Sequence, residues 1–193
     1  TDSFSDPTAL LIDSKVHLYV SGKDTNNADA LFLFVSEDDG RTFGEGILVA
    51  VTPETVPNVQ STAAISCLDG QCLLAASSGE LGAIYLADGP PEGPFVWRSN
   101  PIVEPQEDYE AGGLSSPSVI VEQGSIKLYY AARPEEEGPR VIAGGEILSD
   151  SFERWGVLLS PSTGCADSSG NSLNCWNELE IGSPEVKVAQ SGT

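Results

Sequence analysis

The sequence is poor in basic residues, which excludes two classes of partner. Nine Lys and Arg residues stand against 29 Asp and Glu residues, giving a formal net charge of −20 at pH 7. A surface of this kind repels phosphate backbones and anionic lipid, so we expect no nucleic acid and no membrane as partner. We interpret the charge as a general aid to solubility, with the acidic run at 135–137 forming a solvated loop.

Long apolar runs and methionine are also missing. No apolar run approaches the roughly 18 residues that a membrane-spanning helix requires. The chain opens on Thr1, contains no methionine, and has no charged-then-apolar leader at its start. From these features we expect a processed or excised segment of a soluble protein.

The sequence contains no recognisable motif for a metal-binding or phosphate-binding site. The cysteine spacings fit no common zinc motif, and His17, the single histidine, lies inside a strand pattern. We expect His17 at a strand surface, because its counterpart in the repeat described below is Lys127. No Gly-rich phosphate loop or nucleophile elbow is present. We therefore predict no cofactor, although the acidity is compatible with a structural calcium outside any EF-hand pattern.

The four cysteines form two local pairs. Cys67 and Cys72 bracket an Asp-Gly turn, so they face each other across a predicted hairpin. Cys165 and Cys175 bracket a polar stretch that a disulfide would restrict. Two disulfides predict an oxidising compartment, so we expect a secreted or periplasmic protein.

The sequence contains an internal repeat. DPTALLIDSKVHLYVSG, which begins at residue 6, aligns without a gap on SPSVIVEQGSIKLYYAA, which begins at residue 116. A weaker copy, TAAISCLDGQCLLAASS, begins at residue 62, and SPEVKVAQSGT repeats the opening from residue 183. Repeats of about 40–55 residues that consist of strands are typical of propeller blades.

Each copy predicts a small antiparallel sheet. Two short strands joined by a polar turn are followed by a loop, a third strand, another turn and an aromatic residue. We find no convincing amphipathic helix. The prediction is one all-β domain, a β-propeller with four-stranded antiparallel blades. Its blades fall at about 6–58, 60–105 and 115–181, and a fourth begins at 183–193.

The segment SEDDGRTF, residues 36–43, fits Ser-x-Asp-x-Gly-x-Thr-aromatic and resembles the Asp-box of sialidases and related propellers. The resemblance implies a turn between the third and fourth strands of a blade. In that turn the Asp38 carboxylate would bind backbone N–H groups, Gly40 would supply the bend, and Phe43 would pack between sheets. We interpret the segment as a marker of the fold, distant from any active site.

The openings of the copies resemble the five-bladed glycosidases of glycoside hydrolase families 43 and 32. In those enzymes an Asp-Pro opens the first blade, a second carboxylate enters from the second, and Glu-x-Pro or a similar element opens the third. Asp6 precedes Pro7 here, and the resemblance implies that Asp6 is the general base or nucleophile. It also implies a five-bladed ring, of which this chain would supply three blades and the start of a fourth. Further blades or association of copies would complete that ring.

Two positions depart from the family pattern. Thr62 and Ser116 stand where the second and third blades would carry carboxylates, and neither can act as the second acid that glycoside hydrolysis needs. The segment EDYEAGG before the third copy offers Glu110 as a candidate acid. Asp108, Tyr109 and Ser116 are then candidate substrate contacts, with the Tyr109 ring as a platform for a sugar. The alternative interpretation of this segment is a solvated linker between blades.

The predicted function is therefore carbohydrate-active, and two classes remain open. One is a secreted glycoside hydrolase-like propeller that acts on a glycosidic bond through Asp6 and Glu110. The other is a non-catalytic propeller that binds glycans or another surface. Thr62 and Ser116 favour the second class, and the resemblance favours the first.

Overall fold

The computed structural model describes residues 4–52, 64–78, 82–122, 124–136, 138–160 and Pro184. Three of the predictions lie outside these residues: the position of Thr62, the disulfide between Cys165 and Cys175, and the start of a fourth blade. Within the described residues the chain forms thirteen strands and one 3-10 turn at Asp108–Glu110. No helix there is long and apolar enough to cross a membrane.

The strands form three sheets in chain order. Sheet 1 contains β1 (Ser5–Ile12), β2 (Lys15–Lys23), β3 (Asp29–Ser36) and β4 (Ile47–Val49). Sheet 2 contains β6 (Ala64–Leu68), β7 (Gln71–Ser77), β8 (Ile84–Gly89) and β9 (Phe95–Trp97), and the short β5 (Val51–Thr52) pairs parallel to β9. Sheet 3 contains β10 (Leu114–Glu122), β11 (Ser125–Ala132), β12 (Val141–Leu148) and β13 (Ser151–Leu159).

The predicted all-β class with antiparallel four-stranded blades is confirmed. Each sheet is a meander in which successive strands pair antiparallel. The inner strand β6 contacts both β1 and β10, so the three sheets stand side by side around their inner strands. The described residues form part of a propeller and do not close a ring.

Sheet 2 is covered on both faces, which explains why its sequence is apolar without alternation. Along β7, Leu74 packs with Tyr19 and Phe95 in the core shared with sheet 1. Its neighbour Leu73 packs with Leu128 in the core shared with sheet 3. Successive residues of a strand point to opposite faces, so a strand between two cores needs apolar residues at every position.

The outer faces of sheets 1 and 3 carry exposed apolar residues and are not covered by other described residues. On sheet 1, Phe4 and Leu11 are exposed, and the Phe4 ring meets the rings of Phe32 and Phe34 edge-on. On sheet 3, Trp155 is exposed and its ring meets Tyr129.

The repeat extends to details of the backbone. Ala9 pairs with Leu18 as Val119 pairs with Leu128. The register of β1 shifts between Ser5 and Thr8, and that of β10 shifts between Ser115 and Ser118. Within these shifts Asp6 has a φ of 52° and Ser116 a φ of 49°. The two openings, Asp6-Pro7 and Ser116-Pro117, therefore share the register shift and a positive φ at the residue before proline.

The predicted disulfide between Cys67 and Cys72 is confirmed. The two cysteines are directly opposed in the register of β6 and β7. Residues in such a pair are close enough for a disulfide without displacement of the strands. In the part of the chain that the structure describes, no free cysteine is present.

The predicted surface location of His17 is wrong, because the residue is only 4% exposed. His17 lies on the face of sheet 1 that packs on sheet 2, with Nε2 3.8 Å from a carboxylate oxygen of Glu92. Beside it, the Tyr19 hydroxyl donates a hydrogen bond to the Pro91 carbonyl at 2.8 Å. Lys127 occupies the same register position in sheet 3 but on the face that no other described sheet covers. Among the described residues, equivalent positions of the repeat therefore differ in burial because only His17 faces a neighbouring sheet.

The segment 36–43 lies between β3 and β4 and is held together by its own side chains. The Thr42 N–H and hydroxyl donate to the two carboxylate oxygens of Asp38 at 2.8 and 2.7 Å, and the Ser36 hydroxyl donates to the first at 2.8 Å. The Gly40 N–H donates to the Ser36 hydroxyl at 2.8 Å. These bonds lower the pKa of Asp38 to about 2, the Thr42 hydroxyl contributing most. Phe43 is 39% exposed, so the expected packing of Phe43 between sheets is wrong.

Replacing Asp38 by Asn is expected to lower the thermal midpoint, because an amide offers one acceptor where Thr42 and Ser36 supply three donors. The loss should be largest at neutral pH. The folded pKa of Asp38 lies below its unfolded value, so its contribution is present above the unfolded pKa and disappears as the pH falls toward 2. Asp39→Asn is the control, since Asp39 has a positive φ that Asn tolerates. Equal midpoints for the two variants at pH 7 would contradict this expectation.

Candidate functional site

The candidate site lies at the end of the sheets where the inner strands begin. Ser5 pairs with Ser21 near the start of β1, and Leu114 pairs with Ala132 at the start of β10. The loop that follows the second strand of each blade therefore reaches this same end. At the opposite end Val16 pairs with Ser36, the first residue of the segment 36–43. We call the first end the opening end.

Asp6 is partly exposed at the opening end of sheet 1. Asp6 lies between Ser5 and Thr8, where the register of β1 shifts and the strand departs from regular antiparallel pairing. Its φ is positive. Among the described residues, no side chain or backbone N–H donates a hydrogen bond to its carboxylate. Within the described residues the carboxylate is thus partly exposed and not held by a hydrogen bond.

Ser116 occupies the matching place in sheet 3. Its φ is close to that of Asp6, and a proline follows in both cases. Its hydroxyl can donate and accept hydrogen bonds but cannot serve as an acid at neutral pH. The structure therefore puts a serine in the backbone setting that carries a carboxylate in sheet 1.

Glu110 also lies at the opening end, in the segment that links sheet 2 to sheet 3, and has no exposed surface. Five hydrogen bonds from described residues converge on its carboxylate. One oxygen accepts from the Tyr130 hydroxyl at 2.6 Å and from Arg154 Nε at 3.1 Å. The other accepts from the N–H groups of Gln106 and Glu107 at 2.9 and 3.2 Å and from Arg154 Nη2 at 3.3 Å.

These contacts keep Glu110 ionised. Burial alone would raise the pKa of this carboxyl, but the hydrogen bonds from Tyr130, Gln106, Arg154 and Glu107 outweigh it and lower the pKa. The pKa of Tyr130 is raised by burial and by the adjacent charge of Glu110. A general acid needs a proton at working pH and access to the leaving oxygen. The surroundings of Glu110 supply neither, and its predicted role as an acid stays a prediction.

The other two residues predicted to contact substrate differ in exposure. Asp108 is exposed within the 3-10 turn. Tyr109 is half-buried and packs against the core between sheets 2 and 3. Burial and the charge of Glu110 raise the pKa of the Tyr109 hydroxyl. Only the exposed part of this ring could meet a sugar.

Sequence reasoning missed Arg154 and Tyr130, the two residues that complete the environment of Glu110. Arg154 lies on β13 and Tyr130 on β11, far along the chain from Glu110. The sequence offered no clear signal for this pairing, because Arg154 follows Glu153 directly and could have paired locally.

The surface around the opening end of sheet 3 is acidic. Exposed carboxylates there are supplied by Glu104, Glu107, Asp108, Glu135 and Glu136. Arg133 and Arg140, at the ends of the β11–β12 loop, are half-buried. In the described ranges, no group of three or more His, Cys, Asp or Glu side chains is arranged to hold a metal ion.

Solved structures with a similar fold include several glycoside hydrolases. A thermostable family-43 glycoside hydrolase is 18% identical with a TM-score of 0.60, and the match covers 80% of this chain and 58% of that one. A family-117 glycoside hydrolase from the marine bacterium Zobellia galactanivorans is 22% identical with a TM-score of 0.58, covering 80% and 55%. Sucrose-6-phosphate hydrolase from Lactobacillus gasseri is 13% identical with a TM-score of 0.58, covering 80% and 34%.

This chain spans less than two thirds of the length of each of these proteins. No protein-family model matches the sequence, and no curated protein matches it. Likeness at such identities shows a common fold, and a fold alone does not fix an activity. The predicted resemblance is therefore confirmed as a fold: the described residues form blades of the kind found in propeller glycoside hydrolases.

Proposed function

We propose that this chain is part of a carbohydrate-active propeller whose glycan site lies at the opening end of the sheets, with Asp6 as a carboxylate that contacts the sugar. The observation that carries the proposal is the setting of Asp6. Its carboxylate is partly exposed and unpaired among the described residues, at the point where β1 opens. The structural neighbours support a carbohydrate, since one is a family-43 enzyme complexed with xylotriose.

Binding without hydrolysis is the version that the geometry favours. Hydrolysis of a glycosidic bond generally needs two carboxyl groups, one on each side of the bond. Ser116 stands at the blade-three position, and Glu110 is buried and paired with Arg154 at 3.1 Å. Asp6 is thus the one carboxylate of the predicted pair with surface available to a ligand.

A hydrolytic version keeps Asp6 as general base and Glu110 as general acid. It is motivated by the enzymes that share this fold. It requires Glu110 to release Arg154 and Tyr130 and to take up a proton when substrate arrives. Blades beyond the described residues could also supply the second carboxylate.

We expect Asp6→Asn to weaken glycan binding by about 10- to 100-fold, the range for losing a hydrogen bond to a charged group. The measurement is titration calorimetry with xylotriose and with glycans selected on an array, next to an activity screen on aryl glycosides and plant or algal polysaccharides. Asp13→Asn is a matched control, because Asp13 also has a positive φ but lies at the other end of β1.

The outcomes separate the two versions. Binding without turnover, reduced in Asp6→Asn and intact in Asp13→Asn, supports a binding propeller. Turnover that Asp6→Asn abolishes supports the hydrolase. Equal binding by both variants would place the site elsewhere and overturn the proposal.

We propose that the protein is secreted or periplasmic, supported by the disulfide between Cys67 and Cys72. Leu11 and Trp155 are exposed on faces of sheets 1 and 3 that no other described residue covers, and this supports further blades or a second copy that completes the ring.

A further inference from the structure

We propose that Glu110 is a positioning residue whose buried carboxylate fixes the segment 104–113 and thereby sets the opening of β10. This inference rests on the proposed function in one respect, namely that the opening end of the sheets faces the ligand.

Glu110 and Arg154 together hold the first half of the segment. The Glu110 carboxylate accepts from the N–H groups of Gln106 and Glu107. Arg154 Nη2 donates to the Glu104 carbonyl at 2.7 Å, and Nη1 donates to the Gln106 side-chain oxygen at 3.4 Å. Because Arg154 belongs to β13 and Tyr130 to β11, the segment is tied to two strands of sheet 3 through one carboxylate.

Backbone contacts hold the second half. The Gly112 N–H donates to the Arg133 carbonyl at 2.8 Å, and the Leu114 N–H donates at 2.9 Å to the carbonyl of Gly82, which lies just before β8. A Cβ at Gly112 would overlap the backbone of Glu135, and Gly113 has a φ of +100°. Gly112 is thus required by close backbone approach and Gly113 by its positive φ. In this half the segment is held by its backbone, and Glu110 is the side chain whose hydrogen bonds tie it to sheet 3.

A glutamate suits this place better than its nearest substitutes. All five groups around the carboxylate are donors, so a glutamine would turn its NH₂ group toward at least one of them. An aspartate is one methylene shorter and could not reach the donors on both sides. The anchor therefore depends on the charge and on the length of the side chain.

Glu110 would therefore determine where the candidate substrate-contacting residues lie. Tyr109 and Asp108 precede Glu110 directly in the 3-10 turn, and Ser116 follows it on β10. Fixing Glu110 fixes the exposed edge of Tyr109 and the path of the chain into Ser116. Glu110 then acts on a ligand through these neighbours.

The test is hydrogen exchange of the whole chain without ligand, comparing wild type with Glu110→Gln. The amide protons of Gln106, Glu107, Gly112 and Leu114 are expected to exchange about 10- to 100-fold faster in the variant. Glu104→Gln is the control, since it removes a neighbouring charge while Arg154 uses only the Glu104 carbonyl. Tyr130→Phe, which removes one of the five donors and keeps the ring, is expected to give a smaller acceleration in the same amides.

Unchanged exchange in Glu110→Gln would overturn the inference. So would loss of aryl glycoside turnover with unchanged exchange, because that result would make Glu110 the acid. A xylotriose titration of the same variant adds the link to the ligand, with weaker binding expected in parallel with faster exchange. Exchange is measured without sugar, so absence of xylotriose binding by the wild type would count against the proposed function alone.

Discussion

Replacing Arg154 by methionine is expected to lower the free energy of unfolding by about 3 to 5 kcal/mol at neutral pH, the usual cost of removing one partner of a buried ion pair. Arg154 supplies two of the five hydrogen bonds to Glu110, whose side chain has no exposed surface. Methionine fills much of the same volume, so the loss reports the unpaired charge more than lost packing. Urea unfolding at pH 7 measures it.

The pH dependence gives this prediction a second readout. In the wild type the folded pKa of Glu110 lies below its unfolded value. Its ionised form thus stabilises the fold above the unfolded pKa, and that contribution is lost as the pH falls. Without Arg154, fewer hydrogen bonds offset the effect of burial on Glu110, so the pKa of Glu110 in the folded state rises. The difference between variant and wild type should therefore shrink from pH 7 to pH 4, and an equal difference at both values would contradict the argument.

Arg98→Met is the matched control. Arg98 also pairs with a carboxylate, at 2.9 Å, but that partner, Asp88, has a side chain that is 54% exposed. Solvent screens such a pair, and its loss is expected to cost about 1 kcal/mol or less. A loss for Arg98→Met as large as that for Arg154→Met would show that burial is not the deciding factor.

Replacing Phe95 by alanine is expected to cost about 3 to 5 kcal/mol, the range for a large aromatic removed from a packed core. Phe95 has no exposed surface and packs with Tyr19 and Leu33 of sheet 1. It is thus part of the contact that joins sheet 2 to sheet 1. The urea midpoint should fall, with a change of slope only if the two sheets begin to unfold separately.

Val96→Ala provides the contrast on the same strand. Val96 points to the other face of β9 and is 54% exposed, so its truncation is expected to change stability by about 0.5 kcal/mol or less. If the two truncations cost the same, Phe95 would not be part of a core between the sheets. The expected difference follows from the alternation of side chains along a strand.

The all-β class and the strand pairing within each described blade could be predicted from local sequence. The gapless alignment of the copies that begin at residues 6 and 116 predicts equal sheets, and the structure reproduces it in register and in the φ values of Asp6 and Ser116. The disulfide between Cys67 and Cys72 was predictable for the same reason. Strand pairing within a blade is local in sequence, so pattern and turn chemistry suffice to predict it.

Burial and the hydrogen-bond partners of the candidate site residues could not be predicted from the repeat. His17 and Lys127 are sister positions, yet His17 is buried because sheet 2 packs on its face. Glu110 looks like an accessible carboxylate in sequence, but Tyr130 and Arg154 reach it from strands 20 and 44 residues further along the chain. Burial and pKa depend on which surfaces meet and which donors converge. These contacts lie between distant segments, so no local pattern encodes them.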